Sequence, residues 1–292
     1  MGLSTIPVDL HNPGQVFACM GFLEATEQLC GYATGRFHWN DEHDPSGHFH
    51  LECEANRNPV SDVLEFISKA SIYQCVPDGW THGKASSSNL FVTGNEFPSR
   101  EPNETSLPIV LKSEKNQIYL WHWADGSSRD AFKLYSGNRS AYSIASLQIG
   151  GKLTGKARKI EIPGIVHLWH NQREELILDP LGITIPVAGT FNMDARCAWS
   201  AIDAGYSPND HNQRVAGSPV VELMAALGLQ NARPHLIDRR HYRYAAWTDE
   251  LPPVLARPML AGSVGAYDCR RFSFRLEMSG KNKIVLYSEE EN

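Results

Sequence analysis

The sequence lacks the signatures of several large protein classes. None of its six cysteines lies in a CxxC pair, and their spacing matches no zinc ribbon or zinc knuckle. No apolar run reaches the roughly eighteen residues of a membrane-spanning helix. The start MGLSTIPVDLHNPGQ has no basic segment followed by an apolar run, as a signal peptide would. These absences predict free thiols, a cytoplasmic location and no membrane partner.

Positive charge is also scarce in this chain. It has 27 Lys and Arg against 33 Asp and Glu, which gives a formal net charge of −6 and a pI of about 6.1. A domain that binds nucleic acid by itself usually carries an excess of basic residues. The balance argues against independent nucleic-acid binding. Any such contact must come from local basic patches, or from a place inside a larger assembly that supplies the positive charge.

The hydrophobic content of 42% is enough for a sizeable core, and the predicted elements are mixed in order, without regular β-α alternation and without a repeat. The sequence therefore predicts an α+β fold with mixed or antiparallel sheets and several helices. It forms one large domain, or two closely packed regions at 1–150 and 151–292. Predicted helices cover about 12–31, 59–70, 140–147, 194–204 and 219–227. Predicted strands are 6–10, 37–39, 49–51, 107–112, 117–124, 166–169, 176–178, 184–187, 242–247, 272–276 and 284–287.

Motifs of common hydrolases are missing, since neither GxSxG nor HExxH occurs. Histidines, carboxylates and one thiol nevertheless cluster between residues 38 and 53, and His48 and His50 would share one face of a strand. Two interpretations stay open, a metal site and a polar hairpin whose histidines are solvated. The cluster comprises His38, Asp41, Glu42, His43, Asp44, His48, His50 and Cys53.

A second polar set could serve a nuclease. It comprises Asp194, Asp203, Asp210 and His211. A helix cap at Asp194 and a loop position for Asp210 explain the same residues without catalysis.

Three basic stretches, two of them with aromatic residues, are candidates for phosphate contact. Guanidinium groups and helix N-termini bind phosphate, and aromatic faces stack on bases. The alternative for each stretch is a solvated charged face. The first contains Lys133, Tyr135, Asn138, Arg139 and Ser140, the second Lys152, Lys156, Arg158 and Lys159, and the third Arg233, Arg239, Arg240, His241 and Arg243 with Tyr242, Tyr244 and Trp247.

Four stretches together resemble a known family. They are IPVDLHNPGQVFACMGFLEA, LYSGNRS, DARCAWSAIDAGYSPND, and SPVVELMAALGLQNARP followed by YRYAAWTDELPPVLA, and they span about residues 6–256. They are similar to a CRISPR-associated family of type I-U (also called I-G) systems, whose members are encoded beside the effector-complex genes, and the resemblance implies a large-subunit-like protein. Where the family pattern has Trp-Ala-Gly-Gln-Gln, this chain has Tyr-Ser-Gly-Asn-Arg at 135–139. That departure changes the chemistry of the segment.

The resemblance implies a non-catalytic subunit of a crRNA-guided surveillance complex, which contacts crRNA or target DNA and other Cas subunits and needs no cofactor. In such complexes the guide reads the sequence, while protein reads shape and backbone. Docking onto basic subunits would account for the acidic composition. The implied nucleic-acid contacts fall on Lys133, Asn138, Arg139, Ser140, Lys156, Arg158, Lys159, Arg233, Arg239, Arg240, Arg243 and Trp247.

Two alternatives remain at this stage. The first is a histidine-dependent RNA-processing nuclease of the same system, because one or two imidazoles suffice for acid–base cleavage of RNA. The second is a metal-dependent hydrolase that uses the 38–53 cluster. The acidic run Glu289–Glu291 is predicted to be disordered.

Overall fold

The computed structural model describes residues 1–41, 44–80, 89–94, 97, 104–124, 130–136, 139–154, 159–187, 189–198, 215–262 and 268–291. Its helices there are α1 Pro13–Cys30, α2 Pro59–Lys69, α3 Ala141–Gly150, α4 Ile165–Asn171, α5 Arg173–Leu178, α6 Pro219–Gly228 and α7 Pro253–Leu260. Its strands are β1 Gly2–Asp9, β2 Ala33–His38, β3 Ser46–Cys53, β4 Ser71–Val76, β5 Leu90–Val92, β6 Ile109–Lys112, β7 Gln117–Leu120, β8 Lys152–Thr154, β9 Lys159–Ile162, β10 Ile185–Pro186, β11 Ala216–Gly217, β12 His235–Asp238, β13 His241–Trp247, β14 Cys269–Ser279, β15 Asn282–Val285 and β16 Glu289–Glu290.

Helix α1 is the central element of the fold. Its start follows from local chemistry, because Asn12 caps the helix through the Gly14 N–H and Pro13 occupies the first turn. Most of its residues are buried on all sides, as in a helix that runs through a core. It packs against β1–β3, α2, α6 and α7. Within the described residues, no helix has the length and apolar character needed to cross a bilayer.

Three larger sheets surround this helix. The first is antiparallel with strand order β1-β3-β2, and the second has the order β5-β4-β6-β7 with β4 and β5 parallel. The third has the order β12-β13-β14-β15, with β16 also paired to β14. Two short ribbons, β8–β9 and β10–β11, complete the described sheets. The predicted α+β fold with mostly antiparallel sheets is confirmed.

Both predicted regions, 1–150 and 151–292, contribute to one hydrophobic cluster that runs from Ile6 to Val285. Trp247 shows how closely the regions pack. Its ring lies 5.0 Å from that of Phe37, and its Nε1 donates a hydrogen bond of 2.8 Å to the Gly35 carbonyl. The third sheet is therefore joined to the first sheet through the core.

Two predicted strands are wrong. Residues 166–169 lie in α4 and residues 176–178 lie in α5. In α4 the buried residues Ile165, Leu168 and Trp169 have helical spacing, and in α5 Glu174 and Glu175 favour the first turn of a helix. Short apolar runs of this kind fit either state, and packing decided for helix.

Two further expectations fail at described residues. The predicted helix 194–204 is only a 3-10 turn at Ala195–Cys197, because Ala198 is extended, and residues 199–204 lie outside the described part. The acidic run is ordered rather than disordered. Glu289–Glu290 form β16, Glu290 pairs with Arg270 at 2.6 Å, and Glu291 pairs with Arg243 at 2.5 Å. Basic partners on the third sheet hold this run in place.

Candidate nucleic-acid interface

Residues of the family-like stretches meet inside the protein. The carboxylate of Asp194, which is 1% exposed, accepts hydrogen bonds from Asn12 Nδ2 at 2.9 Å, from the Ser218 N–H at 2.9 Å and from Arg196 Nη2 at 2.8 Å. It also caps the 3-10 turn through the Arg196 N–H, so the predicted cap is confirmed. Every one of these contacts is internal. The other members of the carboxylate alternative, Asp203, Asp210 and His211, lie outside the described residues.

Glu222 lies beneath this network and is fully buried. Its Oε1 accepts the N–H groups of Met193 and Asp194 at 3.1 and 2.9 Å. Its Oε2 is a buried atom without a hydrogen-bond partner among the described residues. Burial, and then the charge of Asp194, raise the pKa of Glu222 to about 7, although the backbone donors oppose the shift. Glu222 therefore holds a proton in the folded protein at slightly acid pH.

Stability should depend on this proton. In the unfolded chain Glu222 titrates near 4.5, so the folded state retains a proton that the unfolded state has released between pH 4.5 and about 7. The contribution is complete below the unfolded pKa and is lost as the pH rises through the folded pKa. The parent loses this contribution as the pH rises, whereas Glu222→Gln has no group that titrates there. We therefore expect the difference in unfolding free energy, variant minus parent, to increase by about 2 to 3 kcal/mol between about pH 5 and about pH 8. Urea unfolding at both pH values measures this, and identical pH slopes would contradict it.

The candidate surface starts at the turn between β12 and β13. Arg239 and Arg240 form this turn and are exposed, and Arg240 has a positive φ of 61°. The turn is docked onto β14, because the Leu276 N–H donates a 2.9 Å hydrogen bond to the Arg240 carbonyl. On β14, the exposed Arg275 stands directly opposite His241. Three exposed guanidinium groups are thus carried by this turn and by the neighbouring strand β14.

A second basic stretch joins this turn through Lys283. Burial lowers the pKa of Lys283, and the positive charges of Arg240 and Lys133 lower it further, against the opposing effect of Asp130. The backbone N–H of Lys283 bonds to the Leu134 carbonyl at 2.9 Å, which fixes β15 beside the segment that carries Lys133. Lys133 lies 4.6 Å above the Tyr135 ring, and burial lowers the pKa of its ammonium group. We call Lys133, Arg239, Arg240, Arg275 and Lys283 the hairpin surface.

The nearby carboxylate Asp130 is already neutralised. Asp130 is buried, and both oxygens of its carboxylate bind Arg233, at 2.7 and 2.6 Å. The Nη2 atom of Arg233, which donates to Asp130, also donates to the His122 carbonyl. Arg233 is therefore a structural partner of Asp130, whose charge also acts on Lys283. Two exposed acids lie at this surface, Asp238, whose Oδ1 accepts the Arg239 N–H at 2.5 Å, and Glu277, two residues from Arg275 on β14.

The other predicted contacts lie elsewhere. Trp247 is fully buried, and an enclosed ring has no face to offer a base. Arg243 pairs with Glu291, and Ser140 caps α3, where its hydroxyl accepts the Ser143 N–H at 3.1 Å. Arg139 is exposed at the start of α3. Asn138, Lys156 and Arg158 lie outside the described residues, and for Lys159 only the backbone, in β9, is described.

Sequence reasoning missed Arg275 and Lys283. Both belong to the final hairpin, whose strands and turn it did predict, and Gly280 at that turn has the positive φ of 61° that glycine adopts without cost. The signal was a basic residue on each strand of the hairpin, exposed at Arg275 and half-buried at Lys283. It could not be used without knowing that β15 lies beside residues 130–136, which are far away in sequence.

The 38–53 cluster divides between the two faces of the first sheet. His38, His48 and His50 lie on the outer face, where His38 is paired with His48 across β2 and β3. Cys53 lies on the buried face, and its thiol contacts the Ala55 carbonyl at 3.4 Å. Glu42 and His43 lie outside the described residues.

No protein-family model, curated protein or solved structure matches this chain.

Proposed function

We propose that this protein is a non-catalytic subunit of a type I CRISPR RNA-guided surveillance complex and that it contacts the backbone of crRNA or target DNA through the hairpin surface. The observation that carries the contact is the 2.9 Å hydrogen bond from the Lys283 N–H to the Leu134 carbonyl, because it places the final hairpin beside the segment that carries Lys133. Two basic stretches about a hundred residues apart in sequence thereby form one surface. The likeness of the four stretches to the type I-U family supports the choice of complex.

Phosphate is the ligand that this surface suits. The exposed guanidinium groups of Arg239, Arg240 and Arg275 attract anions, and guanidinium binds phosphate well. The cations come from a loop, a turn and two strands, so they can follow an extended backbone. Contacts of this kind position a protein on nucleic acid without reading its sequence. That division of labour fits a complex in which a guide RNA supplies the sequence readout.

The acidic composition fits a subunit of an assembly. With a net charge of −6, the isolated chain has little general attraction for nucleic acid. Docked beside subunits with positive charge, it needs only a local surface for the phosphate backbone. We therefore expect weak nucleic-acid binding by the isolated chain and firm binding by the assembled complex.

Co-purification tests the assignment to a complex. The tagged chain is expressed with the genes that neighbour its own, and the purified material is examined for partner subunits and for bound RNA. We expect Cas subunits and an RNA of uniform length. Recovery of the chain without RNA or partners from cells that express all of these genes would overturn the assignment.

Replacement of both turn arginines tests the hairpin surface. In the assembled complex, Arg239→Ala/Arg240→Ala should weaken nucleic-acid binding about tenfold, because two phosphate contacts are lost. The slope of log affinity against log salt should fall by about two. Fluorescence anisotropy across a salt series measures both.

A charge-matched control is Arg57→Ala/Lys69→Ala, which removes two exposed cations that pair with Asp62 and Glu65 on α2. We expect this control to bind as the parent does. Unchanged affinity and slope in the Arg239/Arg240 variant would remove the hairpin surface from the proposal, while the co-purification result would stand by itself.

A further inference from the structure

Three histidines share one exposed face of the first sheet. In the antiparallel pairing of β2 and β3, His38 stands directly opposite His48 and Arg36 stands opposite His50. His48 and His50 are two residues apart on β3, so their side chains point to the same side. The opposite side of these strands faces the core with Phe37 and Phe49. The imidazoles are therefore presented outward from a rigid support.

The spacing of two of the rings is close to that of a metal site. The ring centroids of His38 and His50 lie 6.0 Å apart. Two imidazoles bound to one tetrahedral Zn²⁺ have centroids about 5 Å apart, given Zn–N distances of about 2.0–2.1 Å. Residues directly opposite in a sheet have Cβ atoms about 4.5–5.5 Å apart, which brings His48 within reach of His38. Side-chain rotation alone can close the remaining distance.

As the side chains stand, no three His, Cys, Asp or Glu in the described part of the chain are placed to hold a metal ion, so the side chains of the three histidines must rotate to bind one. The cost of the rotation is small, because His38 and His48 are exposed and His50 is only partly covered. The loss is rotamer entropy of exposed side chains, which is far below the binding free energy of a three-histidine zinc site.

His50 already has the support that a metal ligand needs. Its Nδ1 lies 3.2 Å from the Thr5 hydroxyl on the adjacent strand β1. A hydrogen bond at one ring nitrogen orients the imidazole and leaves Nε2 for a metal. The positive charge of Arg36, which stands opposite His50, would by itself disfavour a bound cation. The charge of Arg36 is offset by Glu250 at 3.4 Å.

We propose that His38, His48 and His50 form a binding site for a divalent transition-metal ion, with Zn²⁺ as the ion that suits it best. Imidazole nitrogen is a preferred zinc ligand, and three protein ligands leave a fourth position open. That position can take water or an oxygen atom of a bound molecule. The site lies on the first sheet, does not involve the residues of the hairpin surface, and does not rest on the proposed nucleic-acid contact.

Zinc titration of the purified, untagged full-length chain tests this site. A chromogenic chelator competes for Zn²⁺ near neutral pH, with reactive thiols blocked so that cysteines do not contribute. We expect one equivalent of Zn²⁺ per chain, and a Co²⁺-loaded sample with the visible absorption of a four- or five-coordinate ion. Loss of a residue that only supports a metal ligand weakens metal binding by about 10–100-fold. His48→Ala and His50→Ala each remove a ligand itself, so we expect each to weaken zinc binding by more than that. Thr5→Val should weaken it by about tenfold, because the ring of His50 is then less well oriented.

His235→Ala is the matched control, since His235 is exposed on β12 of the third sheet. We expect it to bind zinc as the parent does, and circular dichroism of each variant verifies that the fold is retained. Three results would overturn the proposal. These are the absence of zinc binding near micromolar concentrations, equal binding by His48→Ala and the parent, and half an equivalent of zinc with dimer formation, which would place the metal between two chains.

Discussion

Gly21→Ala is expected to lose at least about 3 kcal/mol of unfolding free energy. A Cβ at Gly21 in α1 would lie 2.0 Å from the Met224 carbonyl oxygen in α6, and a Cβ at Gly228 would lie 2.1 Å from the Phe17 carbonyl oxygen. Alanine is the better helix former by about 1 kcal/mol, so propensity alone predicts the opposite sign. The steric term decides, because the obstacle is helix backbone and the two helices must move apart through a close-packed core.

Denaturant unfolding and soluble yield measure this effect. Gly150→Ala is the matched control, because Gly150 is also helical and a Cβ there meets no atom within 4 Å. We expect the control to keep or slightly raise stability. A Gly21→Ala protein as stable as the parent would show that α1 and α6 do not approach through these glycines.

Asp194→Ala is expected to destabilise the fold by about 3 to 5 kcal/mol. The substitution leaves the Asn12 amide, the Ser218 N–H and the Arg196 guanidinium without their acceptor in a buried place. An orphaned buried donor costs about 1–3 kcal/mol, and an orphaned charge costs more. Arg196 also donates to the Leu181 carbonyl at 2.8 Å, and its side chain is partly exposed, which limits its share of the cost.

The same variant distinguishes a structural carboxylate from a nuclease carboxylate. Thermal or urea unfolding should show the loss directly, and Asp249→Ala, at an exposed loop position, should change stability by less than about 0.5 kcal/mol. Loss of RNA or DNA cleavage by an Asp194→Ala protein of parental stability would favour the nuclease alternative. If the variant loses stability, Asp194 has a structural role, whether or not cleavage of nucleic acid also changes.

Several residues of the four stretches quoted above make packing contacts or hydrogen bonds inside the protein. Asn12 and Asp194 belong to two of them and bond to each other, while Glu24 of the first stretch pairs with Arg257, just beyond the last, at 2.7 Å. Gly21 lies between them in α1 and fits against α6. Residues of these stretches are therefore used for packing inside this fold. The proposed nucleic-acid contact rests instead on the hairpin surface.

The amino-acid sequence determined by itself those features that depend on neighbouring residues. The helix that begins after Asn12 with Pro13, the helix 219–228 and the final hairpin with its Gly280 turn all follow from local capping, apolar spacing and turn chemistry. The mixed order of these elements was enough to predict an α+β fold. For α4 and α5 the local pattern was ambiguous, because runs of six or seven residues are too short to separate period 3.6 from period 2.

Only the tertiary structure decided which charged and aromatic residues face solvent. Arg233 and Arg240 are both arginines of one basic stretch, yet Arg233 binds Asp130 and Arg240 stays exposed. Trp247, which the sequence placed beside that stretch as a base-stacking ring, is enclosed by the first sheet. The partners responsible are about a hundred or more residues away along the chain. Burial and ion pairing depend on such distant contacts, and no local pattern contains them.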